Sequence, residues 1–274
     1  MKKGISAVIV VKNEEAGIRA CLERLLWVDE IVVVDNHSTD RTVEICRSMT
    51  QVIITSESPF TGIRVNKGIE RASYEWVLNV DADEIVTGEL RDEIKRMVAA
   101  DGASYDAFYV PVRHHFMGRA LKRGGWSPCH TLRFYRKQRA RYTAADHQVQ
   151  VSVEGKKGYL SAALIHCAPL DTHTFLRKMN LYTSNTAAEH YRTRPVSFRD
   201  LVLLPPWVFF KRFVLRMGFL DGFPGFVIAY LGALYIFIEK VKLREAQKVT
   251  SCLVPGYGCV KPGCPVHAPQ RRVK

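Results

Sequence analysis

Four short apolar runs, each ending in a polar or acidic cluster, recur through the first hundred positions and constrain the fold more than any other feature. They are ISAVIVV at residues 5–11, EIVVVD at 30–35, VII at 52–54 and WVLNV at 76–80. Runs that are β-branched and apolar at successive positions, rather than at alternate ones, belong to strands covered on both faces, as in a parallel sheet. Helical spacing lies between them. Asn13 is placed to cap a helix running to about Leu26, with Ile18, Leu22, Leu25 and Leu26 on its apolar side. Ser38-Thr39-Asp40 starts a second helix carrying Val43, Ile45 and Cys46, and a third is expected over residues 63–73. A β-α-β-α-β-α-β series predicts an α/β fold with a mainly parallel sheet flanked by helices. The opening MKKGISAVIVVKNEE reads as the first strand rather than a signal peptide, because Glu14 and Glu15 follow the apolar run at once.

From Tyr105 the pattern changes to short strands, at 107–112, 131–135 and 149–153, and then to a helix over 175–191. Residues 201–238 are the most apolar segment, and 222–238 contain no charge. The expected organisation is a sheet domain over 1–191, with halves 1–101 and 102–191. Apolar, basic helices over 192–246 and a Cys/Pro-rich flexible tail over 247–274 follow it. A chain of 274 residues with 47% apolar and 24% charged residues builds a substantial core, which excludes disordered and collagen-like classes.

Charge divides the chain. Through Asp101 there are 13 basic and 18 acidic residues; beyond it there are 27 and 9. The second half is therefore expected to meet something anionic: nucleic acid, phosphates or a membrane surface. The seven cysteines are odd in number and follow no disulfide framework, so reduced thiols in a cytosolic setting are expected.

Ligands of an open parallel sheet bind beyond the carboxyl ends of its strands. Lys12-Asn13-Glu14, Asp35-Asn36-His37, residues 64–66 and Asp81-Ala82-Asp83-Glu84 fall there. Neither G-x-G-x-x-G after the first strand nor G-x-x-x-x-G-K-[ST] occurs, which disfavours dinucleotide oxidoreductases and P-loop enzymes. Asp81 and Asp83, flanking one residue at a strand end, suit Mg²⁺ or Mn²⁺ carrying a diphosphate. The alternative is that Asp81 caps the next helix while Asp83 and Glu84 favour its positive end. Asp35, a second acidic strand end, is a candidate for holding a donor's base.

These four elements together, ISAVIVVKNEE, EIVVVDNHSTDRT, the Arg64-Val65-Asn66-Lys67-Gly68 stretch and WVLNVDADE, resemble the nucleotide-binding half of family-2 glycosyltransferases of the GT-A fold. GRALKRGGWSPCHTLRFYRKQRARY, VEGKKGYLSAALIH and GFLDGFPGF resemble a narrower bacterial group, the lipopolysaccharide core glycosyltransferases related to β-1,4-glucosyltransferases. The resemblance runs from about Ile5 to Arg244. It implies inverting transfer of a sugar from a nucleotide-sugar donor to a glycolipid or polysaccharide-core acceptor. It implies that Asp35 hydrogen-bonds a uracil ring, that Arg64 lies near the base or phosphates, and that Asp81 faces the ribose. Asp83 then holds the Mg²⁺ or Mn²⁺. Asn13, Glu14 and Asn66 complete the expected donor site. Lys12 departs from the family, where an aromatic often stacks on the base. Where the family shows His-Glu, this chain has Asp146-His147-Gln148; Asp146 is the expected catalytic base, with His147 as helper or alternative. Asp146 could instead be a loop residue paired with a nearby arginine.

Residues 113–141 hold nine basic residues and no acidic ones, interleaved with Phe116, Trp126, Phe134 and Tyr135. Phosphates of donor and acceptor are the preferred partner over nucleic acid; a merely solvated face is the third reading. Residues 192–244 hold nine basic and three acidic residues around apolar segments. This reads as helices lying on an anionic membrane surface, at the cytoplasmic face of the inner membrane, with a packed core helix or a membrane span as alternatives. Cys252, Cys259, Cys264 and His267 have a spacing that matches no common zinc finger, so a flexible tail is preferred over a metal site.

Overall fold

The structure is a computed structural model that describes residues 2–50, 52–100, 104–125, 129–143, 150–166, 172–191, 195–251, 253–254 and 258–259. Two compact units are present, Met1–Pro169 and Leu170–Lys274. The division between the units falls at residues 169 and 170, whereas the sequence predicts a domain boundary at 191. The helix before it packs with the second unit, for the reason given below.

In the first unit, the four apolar runs become β1 (Lys2–Val11), β2 (Glu30–Asp35), β3 (Val52–Thr55) and β4 (Tyr74–Asn79). They pair in parallel in the order β3-β2-β1-β4, with Val11 opposite Asp35 and Asp35 opposite Thr55. Alternate residues of β1 feed opposite faces. Ile5, Ala7, Ile9 and Val11 pack with Ile18 and Leu22 of α1 (Ile18–Glu23), and with Leu90 and Ile94 of a helix described below. On the other face Val8 joins Val32, Val77 and Val65, the last from α3 (Thr61–Arg71). Both faces are buried, so no polar alternation could survive in these strands. Between β2 and β3 lies α2 (Thr42–Arg47).

α1 is much shorter than the expected helix over 13–26. Asn13 takes a left-handed backbone conformation, φ 55°, and its side chain accepts from Thr39 N at 2.8 Å instead of capping its own helix. Gly17 is the residue before α1.

β5 (Glu84–Val86) intervenes between Asp81 and the helix that follows it, α4 (Gly88–Ala99). Thr87 caps α4 by accepting from Leu90 N at 3.2 Å, so Asp81 does not cap it and that alternative falls. The sheet continues through β8 (Cys129–Arg136), β6 (Ala107–Phe116), β12 (Leu164–His166) and β5. β8 is antiparallel to both β4 and β6. It is wedged there by aromatic packing: the Phe134 ring stacks on Trp76 at 4.7 Å and on Phe108 at 5.9 Å. β7 (Arg119–Ala120) and β11 (Lys157–Tyr159) also pair with β6, and β9 (Ala140–Tyr142) pairs with β10 (Val151–Val153) as a separate ribbon.

The second unit contains α5 (Thr172–His190), α6 (Phe198–Val202), α7 (Leu204–Phe210) and α8 (Gly222–Ser251). α5 belongs here because Lys242 of α8 donates to Asn180 O at 2.7 Å and to Thr183 Oγ1 at 2.9 Å. A capping box opens α6: Ser197 N donates to Asp200 Oδ2 at 2.9 Å, and Asp200 N to Ser197 Oγ at 3.3 Å. Pro205 and Pro206 sit in the first turn of α7, where the missing N–H groups cost least. A π-helical turn, Lys211–Leu215, and a 3₁₀ turn, Gly218–Asp221, join α7 to α8. Gly225 is required here, since a Cβ on it would meet Gly218 O at 2.0 Å.

Candidate active site

The parallel strands deliver their carboxyl ends to one edge of the sheet, and the loops there are tied to one another. Asn13 N donates to Ser38 Oγ at 3.0 Å, Glu14 N to Thr42 Oγ1 at 2.8 Å, and Arg41 N to the Glu15 carboxylate at 3.0 Å. These bonds cross from the loop after β1 to the loop after β2. Asp35, the last residue of β2, is buried and accepts from Ser38 N at 3.2 and 3.3 Å. Asn13 and Glu14 thus shape the cleft beside Asp35 through their backbones and the Asn13 amide.

Beyond β4, the D-x-D segment is gripped from β8. Arg133 donates to both Asp81 oxygens, at 3.2 and 2.5 Å, and to Glu84 Oε1 at 2.8 Å. Glu84 closes the ring, its other oxygen accepting from Asp81 N at 2.9 Å. The antiparallel register puts Leu78 opposite Phe134, so Arg133 lies at the level of Asn79, just where β4 ends. Glu84 is 1% exposed and Arg133 12%, whereas Asp81 is half exposed. Burial pushes the Glu84 carboxyl up to about 7, against the pull of the Arg133 guanidinium. Arg133 itself stays above the ordinary guanidinium range: burial lowers it, but Asp81 and Glu84 more than restore it. A bidentate, shared guanidinium of this kind fixes the segment's backbone.

Asp83 points elsewhere, with an oxygen 3.4 Å from His166 Nε2. β12 pairs with β5 and β6 so that His166 stands opposite Glu84 and His114. The two imidazole rings are 5.1 Å apart, and burial, then His166 and Arg133, pulls His114 down to about 4. His114 is therefore neutral at physiological pH.

Two expected donor-site residues are engaged in the scaffold. The Arg64 guanidinium donates to Ser58 O at 2.9 Å and Thr61 Oγ1 at 2.6 Å, holding the loop that precedes α3. Asn66 forms a reciprocal pair with Tyr142, Nδ2 to O and N to Oδ1, both at 2.9 Å, which joins α3 to β9. The basic stretch over 113–141 is not one solvated or phosphate-facing surface. Besides Arg133, Arg136 pairs with Glu75 and lies 4.7 Å over the Trp76 ring. Lys137 donates to Ala72 O at 2.6 Å, and Arg141 pairs with Glu70 at 3.6 Å. These cations fasten β8 and its flank to β4 and α3. Asp146, His147 and Trp126 lie outside the described residues. So do Cys252, Cys264 and His267.

Comparison with known proteins decides the family. Residues 6–166 match the model of glycosyl transferase family 2. The chain belongs to that family. Its relatives include an uncharacterized glycosyltransferase of Rickettsia typhi, 32% identical over 89% of this chain and 88% of the other. The lipopolysaccharide core biosynthesis glycosyltransferase LpsC of Rhizobium meliloti is 30% identical over 89% and 93%. Among solved structures, S. aureus TarS in complex with UDP aligns with a TM-score of 0.46 and 18% identity, over 92% of this chain and 91% of that one.

Asp83 and His166 are the side chains here that could meet a divalent cation. Asp83 offers a partly exposed carboxylate and His166 an imidazole nitrogen within reach of the same ion. The carboxylate suits Mg²⁺ or Mn²⁺, whereas the imidazole nitrogen is foreign to Mg²⁺, which takes oxygen ligands. Among the described residues no three potential ligands gather, so a cation here would draw its remaining ligands from substrate phosphates and water. Sequence reasoning missed Arg133, His114 and His166, and named Glu84 only as part of the acidic cluster after β4. Arg133 and His114 were legible only as members of a basic run, and His166 only as the end of a short apolar strand.

Proposed function

We propose that this family-2 enzyme transfers a hexose, with inversion, from a UDP-sugar to a glycolipid acceptor of the lipopolysaccharide-core type. The observation that carries the reading is the arrangement of acidic strand ends along one edge of the sheet: Asp35 after β2, and Asp81 and Asp83 after β4. Asp35, fixed by the Ser38 amide, accepts a hydrogen bond from the N–H of the donor's base. Asp81 accepts from the ribose hydroxyls while Arg133 keeps it from turning away. Asp83, with His166 beside it, holds Mg²⁺ or Mn²⁺, which when bound neutralises charge on the departing diphosphate. Asn13 and Glu14 hold the cleft's shape, and Arg64 and Asn66 set the loops beneath it. The acceptor hydroxyl gives its proton to Asp146, with His147 as helper, on the side opposite the diphosphate.

The glycolipid assignment is supported by 30% identity to LpsC along nearly the whole chain. An acceptor embedded in a bilayer calls for an enzyme at its surface. Residues Gly218–Lys248 are long enough to cross a membrane and contain an 18-residue window of mean hydropathy 1.6. We read the second unit as resting on the anionic cytoplasmic surface of the inner membrane, because cations interrupt its apolar segments at Lys211, Arg212 and Arg216. The rival reading, a basic nucleic-acid-binding protein, leaves Asp35, Asp81 and Asp83 without a role and has Arg133, Arg136 and Lys137 turned inward. The test is donor hydrolysis across a panel of nucleotide sugars with Mg²⁺, Mn²⁺ or EDTA. Slow, metal-stimulated hydrolysis of a UDP-hexose is expected. Equal rates in EDTA would remove the metal assignment, and no turnover or binding of any nucleotide sugar would remove the donor.

A further inference from the structure

Between α7 and α8 runs an open groove of about 630 Å³, lined by Pro205, Phe209, Phe226, Tyr230, Leu234 and Phe237 among others, with no charged side chain in its wall. Its floor is a packed aromatic set: Phe209 lies edge-on to Phe226 at 5.7 Å, and Phe226 stacks on Tyr230 at 6.4 Å. Outside the groove the same helices and turns leave Trp207, Phe210, Phe223 and Leu220 exposed, Phe223 by 65%. A contiguous apolar surface of this extent marks a binding region. The cation-bearing turn abuts one end of the groove, where Phe213 packs on Phe209 at 5.4 Å and on Phe226 at 5.7 Å. Lys211 on the π-helical turn and Arg216 just after it are exposed, and Arg212 lies against α8 where Gly232 has no side chain. A Cβ at Gly232 would stand 2.6 Å from Arg212 Nη1.

We infer that the α7–α8 groove takes one acyl chain of an anionic phospholipid, whose phosphate is drawn to the cations of the Lys211–Leu215 turn and Arg216. The inference rests on the membrane reading above and adds a lipid-binding site to it. Charge selects this occupant over a second copy of the chain. A second copy would bring the same cations against themselves, whereas an anionic headgroup complements them. An unbranched chain also suits a long, wall-lined groove of aromatic and aliphatic side chains, where each methylene removed from water adds to affinity.

The probe is phosphatidylglycerol bearing one fluorescent acyl chain, titrated below its micelle concentration onto the full-length protein. Saturable binding of a single molecule is expected, about fivefold tighter than for the matching phosphatidylcholine. Leu234→Trp fills the groove and should weaken probe binding by roughly tenfold or more while co-sedimentation with anionic vesicles persists. Unchanged probe binding in that variant would overturn the inference, as would a lipid-free dimer that the same substitution dissociates. If the variant does not fold, phospholipid brominated along one acyl chain, added as monomer below its micelle concentration so that no bilayer is present, should quench Trp207 on the groove's flank saturably in the native chain, with Trp207→Phe as reference. Strong quenching supports the groove; none overturns it. Probe binding without vesicle binding would retain the groove and remove the membrane reading.

Discussion

Arg133 is the residue on which the D-x-D segment hangs. Its guanidinium is enclosed and serves two carboxylates, and one of these, Glu84, has almost no access to water. Replacing it with methionine keeps the volume but leaves Glu84 buried beside Asp81 with no counter-charge. We expect Arg133→Met to lose about 3 kcal/mol of stability in denaturant unfolding, the low end for breaking a buried pair because Glu84 can take up a proton. A loss under about 0.5 kcal/mol, typical of a surface site, would show that the ring Arg133–Asp81–Glu84 does not order this segment. Asp83 belongs to the chemistry instead. Asp83→Asn is expected to leave the unfolding midpoint within a degree or two, and to lower turnover by roughly a hundredfold or more, since an amide is a poor ligand for a hard cation. Wild-type turnover in that variant would falsify the assignment of Asp83 to the cation.

At the scale of elements, α3 lies close against β1 and β2. Gly68 faces the strands, and a Cβ there would stand 2.4 Å from Val8 Cγ1 and 3.0 Å from Val34 Cγ2. Alanine at this position would gain about 1 kcal/mol of helix propensity but overpack a filled core, at a cost of roughly 1–3 kcal/mol. We therefore expect Gly68→Ala to lower Tm by a few degrees, and a raised Tm would mean that α3 can lift from the sheet without loss. The loops at the carboxyl edge would move with α3, because Asn66 ties it to Tyr142. The same variant should thus weaken donor binding measurably.

For the whole molecule, the membrane reading is tested by charge. Full-length protein should co-sediment with vesicles rich in anionic lipid and be partly released by salt, since the attraction is screened within a Debye length. Lys211→Glu combined with Arg216→Glu removes two exposed cations from the turn before α8. At about 1 kcal/mol each, the pair should weaken vesicle binding by at least thirtyfold while leaving donor hydrolysis unchanged, because every donor residue lies in the first unit. Equal recovery of wild type and variant on vesicles would mean that these cations serve the fold of the second unit.

The first four strands, their parallel pairing and the acidic clusters at their ends were legible in the sequence. β1, β2 and β4 are buried on both faces, which leaves short unbroken apolar runs, and the β-branched residues and flanking turn signals mark these as strands. Asp35, Asp81 and Asp83 stood out because a carboxylate at the end of such a run has no place in the core. What each polar residue does was decided only by tertiary structure. Asn13 has the composition of a helix cap, yet the loop from β2 passes close enough for Thr39 to use its side chain. Arg64 and Asn66 lie in the expected place, but neighbours 58–61 and Tyr142 engage them. The cations of residues 113–141 looked like one face. An antiparallel β8, inserted between two parallel partners by the stacking of Phe134 on Trp76, turns Arg133 towards Asp81 and Arg136 towards Glu75. Residues 52 apart in sequence meet in that pair, and no local periodicity encodes a contact between strands so far apart.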